Sequence, residues 1–167
     1  MSIENVPVKG LNSAEYDQAL KVTCQPDLQY NWDNGIGIGK YLQGLKNGVI
    51  LASVCEKCGR IMLPARSFCE LCFRPVDDYT PVQDSGVINT FAICHVNWDA
   101  SRLKPEEPRH LPAVIEIDGA SPGMGIMHIL GNIKPEDIKI GMKVKAVWKP
   151  ESEREGSITD IRFFEPI

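Results

Sequence analysis

Residues 55–72, CEKCGRIMLPARSFCELC, hold two Cys-x-x-Cys pairs within eighteen residues. Each pair aims two sulfurs at one point. The ten residues between Cys58 and Cys69 suffice for a hairpin that returns the second pair to the first. Four thiolates can then surround one metal tetrahedrally, with Zn–S of roughly 2.3 Å. Gly59 follows Cys58 where such a knuckle needs a permissive backbone. The expected ligands are therefore Cys55, Cys58, Cys69 and Cys72. The same set holds iron in a rubredoxin-like site, and spacing does not separate the two metals. Zinc is favoured because structural four-thiolate sites are commonly zinc. Four protein ligands leave no position for water or substrate, so the metal, one per chain, is expected to be structural and to supply folding energy. A thioredoxin-type redox motif needs a single pair in a βα setting, and two pairs stand here.

The redox compartment agrees. Met1–Gly10 shows no charged stretch followed by an apolar run, so no secretory leader is expected. No apolar run approaches the roughly 20 residues of a membrane span. A cytoplasmic location and no membrane partner are expected, and six cysteines in that compartment favour metal over disulfides. Net charge is −4 and the pI about 5.4, unlike a dedicated nucleic-acid binder. Two cysteines have no partner at ligand spacing. Cys24 lies near the N-terminus. Cys94 lies beside His95 in an expected strand, where adjacent side chains point to opposite faces. A core cysteine is thus expected there, not a Cys–His nucleophile.

The chain, 167 residues long, divides by pattern into three parts. Residues 1–47 read as an N-terminal extension with short helices. Asn12 or Ser13 caps the first helix, and Ile38, Tyr41, Leu42 and Leu45 form the apolar stripe of the second. Residues 48–78 read as the zinc ribbon, entered by an apolar strand at Val49–Val54. Residues 79–167 carry five strands at Gly86–Asn97, Pro112–Gly119, Gly125–Ile133, Ile140–Lys149 and Gly156–Glu165, with one helical turn at Pro135–Ile138. The expected fold is mostly β with N-terminal helices. It comprises a rubredoxin-like four-cysteine ribbon and a five-stranded OB-fold barrel, closed on itself.

Other features are weaker. Asn34–Lys40 is glycine-rich, yet it fails the phosphate-loop pattern at Asn34 and Tyr41 and follows no expected strand. His128 sits within a strand with no serine elbow or His-x-x-x-Asp pattern beside it, and reads as a structural histidine. Arg60, Arg66 and Arg74 on the ribbon, with Arg102, Lys104, Arg109 and His110 on a proline-marked loop, could form a local basic patch. Glu106 and Glu107 balance part of it, and ordinary solvated charge is the plainer reading. The ribbon's Ile61, Met62, Leu63, Phe68, Leu71 and Phe73 are more apolar surface than a small knob needs, which marks an expected interface.

Helix, strand, four-cysteine ribbon and OB-like barrel in this order resemble the zinc-ribbon/OB-fold proteins that accompany thiolases in acyl-CoA metabolism. The segment Gly44–Cys72, with Pro64 and Arg66 before the second cysteine pair, resembles that family's ribbon. Gly86-x-x-Asn89-Thr90, Pro112–Gly119, the strand containing Gly131, and Ile140–Val144 resemble its barrel. The likeness covers residues 36–167. The family often carries Pro-Pro-Arg where this chain has Pro64-Ala65-Arg66, and the 102–110 loop is longer and more charged than the family pattern. The resemblance implies a non-catalytic auxiliary subunit. Its thiolase-family catalytic partner owns the nucleophilic cysteine, in a hetero-oligomer with acyl-CoA at or near the interface. Relatives accompany archaeal acetoacetyl-CoA thiolase and bacterial degradative thiolases, including a benzoylsuccinyl-CoA thiolase of anaerobic toluene degradation. The N-terminal extension resembles the bacterial type. Arg66, Arg102 and Lys104 are the expected partners of CoA phosphates under this reading.

Two other functions compete. A single-stranded nucleic-acid binder also uses ribbons and OB barrels, but needs aromatic platforms in a basic groove. Phe91, Trp98, Trp148, Phe163 and Phe164 are the available aromatics, and strand charges do not cluster. An iron redox protein would be coloured and hold one iron.

Overall fold

The computed structural model describes residues 10–18, 28–97 and 99–167. The chain forms two compact units, residues 1–32 and 33–167. In the first, α1 (Ser13–Gln18) begins with a reciprocal cap. Asn12 Oδ1 accepts from the Glu15 amide and Glu15 Oε2 accepts from the Asn12 amide, which satisfies two donors that a helix start leaves open. Tyr30 and Trp32 sit with ring centroids 6.0 Å apart. Cys24 and Trp98 lie outside the described residues.

The second unit opens with α2 (Gly35–Lys46). Its start is set by Asp33, whose Oδ1 accepts from the Gly35 amide at 2.7 Å. The buried positions are Gly37, Tyr41, Gly44 and Leu45; Leu42 is half-buried and Ile38 is 37% exposed. The inward face is thus turned toward the glycines relative to the expected stripe. Close approach explains this. A Cβ at Gly37 would stand 2.6 Å from the Arg66 carbonyl carbon, and one at Gly44 would stand 2.8 Å from the Val49 carbonyl oxygen. The helix lies against neighbouring backbone where side chains would hold it off.

The ribbon follows as β1 (Ile50–Cys55), β2 (Arg60–Met62), β3 (Phe68–Cys69) and β4 (Arg74–Pro75). β1 is flanked on its other side by β5 (Asp78–Val82), giving the antiparallel order β2-β1-β5. β5 contains Pro81 and among the described residues has no neighbour beyond it, the edge position at which proline is tolerated in a sheet.

The remaining strands are β6 (Ser85–Phe91), β7 (Pro112–Ile117), β8 (Gly125–Ile129), β9 (Lys143–Trp148) and β10 (Ile161–Pro166). They form an antiparallel five-stranded sheet in the order β10-β9-β6-β7-β8. Period-2 burial is clean in β7, where Ala113, Ile115 and Ile117 face inward, and in β9, where Val144 and Ala146 do. β6 carries a register shift between Ile88 and Thr90. Asn89 is the extra residue, and its side-chain amide reaches Glu116. The expected closure of the barrel does not occur: the sheet is open. Its two edge strands meet at one parallel bridge, Leu130↔Phe164, with the Gly131 amide on the Phe164 carbonyl at 2.9 Å. β8 stops at Ile129, where a longer strand was expected. β10 starts only at Ile161, because Ile158–Asp160 forms a 3-10 turn, so too few residues face each other to build a ladder.

One core joins helix, ribbon and sheet. Tyr41, Leu45, Ile50, Ala52, Leu63 and Ala65 share a continuous buried cluster with Ile88, Ile115, Val144, Ile161 and Phe164. Cys94 departs from its expected core position. β6 ends at Phe91, so residue 94 lies in the following loop, half-buried, with its amide on the His110 carbonyl. Within the described residues, no helix is long and apolar enough to cross a membrane.

Candidate metal centre

Two matching knuckles build the site. In the first, β1 ends at Cys55, the chain turns through Glu56–Gly59, and β2 leaves with Arg60 opposite Cys55. The Gly59 amide bonds the Cys55 carbonyl at 2.8 Å, and Gly59 has φ +71. In the second, β3 ends at Cys69 and β4 leaves with Arg74 opposite it. The residue equivalent to Gly59 is Phe73, with φ +49. A bulky residue there is a backbone outlier; the knuckle holds it in place, and the residue is 81% exposed.

These turns bring the sulfurs of Cys55, Cys58, Cys69 and Cys72 within 4.8 Å of one another, and Cys58 Sγ lies 3.7 Å from Cys69 Sγ. A tetrahedron with metal–sulfur bonds of roughly 2.3 Å has edges of roughly 3.8 Å, so the set fits one zinc ion. Cys55 and Cys69 are buried, while Cys58 is exposed. The electrostatics also call for a cation. Burial works against the Cys69 thiolate, but the Cys72 and Leu71 amides and the neighbouring thiols outweigh it and lower the pKa to about 7. Cys72 moves the other way, pushed up to about 12 by burial and by the neighbouring sulfurs. Four thiolates in contact cannot all ionise unless a positive ion is shared among them.

Neighbouring residues brace the knuckles. Asp77 Oδ2 accepts from the Glu56 amide at 2.8 Å, while its other oxygen takes Arg74 Nη2 at 2.7 Å. The Arg66 amide donates to Ser53 Oγ, which is buried. Asp77 and Ser53 escaped the sequence reading because a single carboxylate or hydroxyl in a polar stretch carries no pattern.

The ribbon arginines are already engaged. Arg60 pairs with Glu70 at 2.5 Å, Arg66 with the same carboxylate at 3.3 Å, and Arg74 with Asp77. Arg66 Nη2 also donates to the Leu63 carbonyl at 3.1 Å. Arg102 lies in a bridge opposite Val96, and the Lys104 amide bonds Glu107. The six apolar ribbon residues divide. Met62 and Leu63 are buried, because they face the cysteines and the shared core. Ile61 is half-buried, whereas Phe68, Leu71 and Phe73 are exposed at 46%, 66% and 81%. Phe68 and Phe73 meet edge-to-face at 6.5 Å. His128 Nε2 bonds the Ile158 carbonyl at 3.3 Å and its ring stands edge-on to Phe164. His95 is exposed beside the half-buried Cys94.

Comparison with known proteins agrees with this architecture. The rubredoxin-like zinc ribbon domain of ChsH2 matches residues 42–77, and the ChsH2 C-terminal OB-fold domain matches residues 79–149. A DUF35 domain-containing scaffold protein from Methanocaldococcus jannaschii is 30% identical over 116 residues, 68% of this chain and 78% of that protein. This chain belongs to the DUF35 family. Two solved structures share the fold. A DUF35-family protein of unknown function from Sulfolobus solfataricus aligns with a TM-score of 0.58 and 23% identity, covering 77% of this chain and 84% of that one. A chain of the Ltp2-ChsH2(DUF35) aldolase aligns at 0.56 and 19% identity, covering 85% and 98%. With a family ribbon matched onto the clustered sulfurs, the DUF35 ribbon holds one structural zinc.

Proposed function

We propose that this DUF35 chain is a non-catalytic auxiliary subunit of an acyl-CoA-processing complex, docked on a thiolase-family catalytic subunit. The observation that carries the reading is the kind of site the chain offers. Its cysteine cluster takes four protein ligands and leaves no open coordination position, and among the described residues no nucleophile stands with a base and an orienting group. What the chain does offer is surface. Family membership points the same way, since one relative is a DUF35 scaffold protein, and a chain of the same fold belongs to the Ltp2-ChsH2(DUF35) aldolase. The thiolase partner and the acyl-CoA substrate come from the resemblance of ribbon and barrel, and benzoylsuccinyl-CoA is the substrate that resemblance favours. The exposed Phe68, Leu71 and Phe73 are the candidate docking residues. Arg66, Arg102 and Lys104 are the candidate CoA-phosphate contacts, Arg66 being released from Glu70 on binding.

The test is copurification from the source organism, then thiolysis assays on the complex and on each subunit. The complex should cleave the acyl-CoA and this chain alone should not. Turnover by the isolated chain, or a partner with no acyl-CoA activity, would sink the reading. Single alanine variants of Arg66, Arg102 and Lys104 separate docking from CoA contact. A phosphate contact raises KM with assembly intact, and an unchanged KM in all three removes that role.

A further inference from the structure

The unclosed sheet leaves a usable edge. β8 is the last strand in its order, and its even-numbered residues hold β7: Ile126 pairs with Ile115 and His128 with Ala113, and the Leu130 amide bonds the Leu111 carbonyl at 2.9 Å. By antiparallel alternation, the peptide groups of Met127 and Ile129 point away from β7. The Leu130↔Phe164 bridge engages the Ile129 carbonyl, while among the described residues no strand pairs with the amide and carbonyl of Met127 or with the amide of Ile129. Free donors and acceptors in a row are a template for another strand.

The side chains beside that edge are apolar and cationic. Met127 is 74% exposed and Ile129 is 43% exposed. Between β8 and the start of β10 lies a cleft of about 470 Å³, floored by Met127, Ile129, Ile158 and Ile161, with Lys149 and Arg162 on its wall. A second cleft of about 320 Å³ continues past Met127 and Ile158 toward Ile38 of α2. Among the described residues no carboxylate lines either one. The nearby Asp160 is fully buried and spends its oxygens on the amides of Glu155, Gly156 and Ser157. Lys149 shares the field of that carboxylate, and Arg162 stands over the Phe163 ring at 5.9 Å.

We propose that the outer edge of β8 pairs with an extended segment of a partner protein, one that alternates apolar with acidic residues. The free peptide groups select an extended backbone, the apolar floor selects alternate apolar side chains, and Lys149 and Arg162 select negative charge. A second copy of this chain fits poorly. A two-fold interface would bring four cations into one seam with no carboxylate between them. A single-stranded nucleic acid would need exposed stacking platforms, and among the described residues the one Phe, Tyr or Trp lining the two clefts, Tyr41, is buried. The inference rests on the sheet edge and not on the identity of the catalytic partner.

The zinc-loaded full chain tests it, titrated by NMR with the blocked heptapeptide Glu-Val-Glu-Val-Glu-Val-Glu and, separately, with its Lys-Val counterpart. The Glu-Val peptide should shift the Met127 and Ile129 amides and slow their exchange. Ile126, His128 and Leu130, protected already, should change little. Arg162→Glu should weaken the Glu-Val peptide about tenfold or more and favour the Lys-Val peptide. Met127→Pro removes an amide that β7 does not use and should abolish binding in a folded chain. Met127→Asp, which changes only an exposed side chain, should do the same if the proline disturbs the sheet. No perturbation at millimolar peptide, equal binding of both peptides, or shifts confined to the ribbon would each overturn the proposal. So would Met127 protection that rises with protein concentration alone, which would make the occupant a second copy.

Discussion

Asp160→Asn tests how the open sheet is held together near its seam. Asp160 is a fully buried carboxylate. Its Oδ1 accepts from the Glu155 amide at 3.0 Å, and its Oδ2 accepts from the Gly156 and Ser157 amides at 2.7 and 3.0 Å. With the Ser157 side chain accepting from the Thr159 amide, this closes a capping box. Burial opposes the charge, but the three amides and the field of Lys149 outweigh it and hold the pKa below the ordinary carboxylate range. Asparagine keeps the oxygen that meets Glu155 and turns an NH2 group toward two donors. Two charge-assisted bonds are lost, each worth about 1.5–3 kcal/mol, for a total of about 3–6 kcal/mol. For a chain of this size that lowers Tm by roughly 6–24 °C. The sign with pH is fixed. A depressed carboxylate pKa contributes stability that is complete above the unfolded value of about 3.9 and is lost as pH falls through the folded value. The gap between wild type and Asp160→Asn, measured by urea unfolding of the zinc-loaded proteins, should therefore be full at pH 7 and shrink below about pH 4. Both proteins carry the same metal centre, so metal loss cancels in the difference. A gap that stays constant down to pH 3, or one under about 1 kcal/mol at pH 7, would refute the argument.

Further outcomes follow from the metal centre and the helix. Cys55→Ser should lose stoichiometric zinc and the ribbon's amide protection, read by metal analysis and hydrogen exchange, because Cys55 is fully buried among the sulfurs. Zinc binding should release at least the Cys72 proton near neutral pH, so affinity should fall as pH drops and fall more steeply below about 7, where Cys69 regains its proton; calorimetry in buffers of different ionisation heat reads both. Gly37→Ala should destabilise by about 1–3 kcal/mol despite its better helix propensity, since its Cβ meets Arg66 and Ser67 backbone at 2.6 and 2.7 Å; chemical denaturation measures it. Cys94→Ala should leave turnover of the assembled complex near wild type, as no base faces a nucleophile there.

The metal centre was legible because four thiols at fixed spacing form a pattern on their own, and the knuckle geometry follows from local sequence. Period-2 alternation likewise exposed β7 and β9. The ends of the sheet were not legible. Ser157–Asp160 reads as strand by composition, yet one buried carboxylate capping three amides converts it to a turn. β5 was missed because Pro81 argues against a strand unless its edge position is known. The helix face was misjudged by one step, since glycines at Gly37 and Gly44 carry no hydrophobic signal while permitting the closest backbone contacts. Among the ribbon's apolar residues, Met62 and Phe73 look alike in sequence. Only the fold decides that one packs with the cysteines while the other projects into solvent.

The absence of a boundary between ribbon and sheet bears on what the zinc stabilises. Ile61 of β2 and Ser121 in the β7–β8 loop exchange two hydrogen bonds: the Ser121 amide donates to the Ile61 carbonyl and the Ile61 amide donates to Ser121 Oγ, both at 2.9 Å. Met124 in the same loop packs against the cysteine cluster and against the main core, and Arg60 Nη2 lies 4.0 Å from its sulfur. Leu63 and Ala65, which follow β2, sit within the main core. The β7–β8 connection that positions the edge of β8 is therefore anchored on the zinc knuckle, and among the described residues β8 meets a second strand only at the single Leu130↔Phe164 bridge beyond its far end. A structural metal in this chain does more than fold a small knob. It fixes one end of the strand whose outer edge is left open, so that the edge is presented in one geometry and not as a frayed terminus. This couples a closed, chemically silent metal site to the surface a partner would meet, which is the role the rest of the site leaves for it.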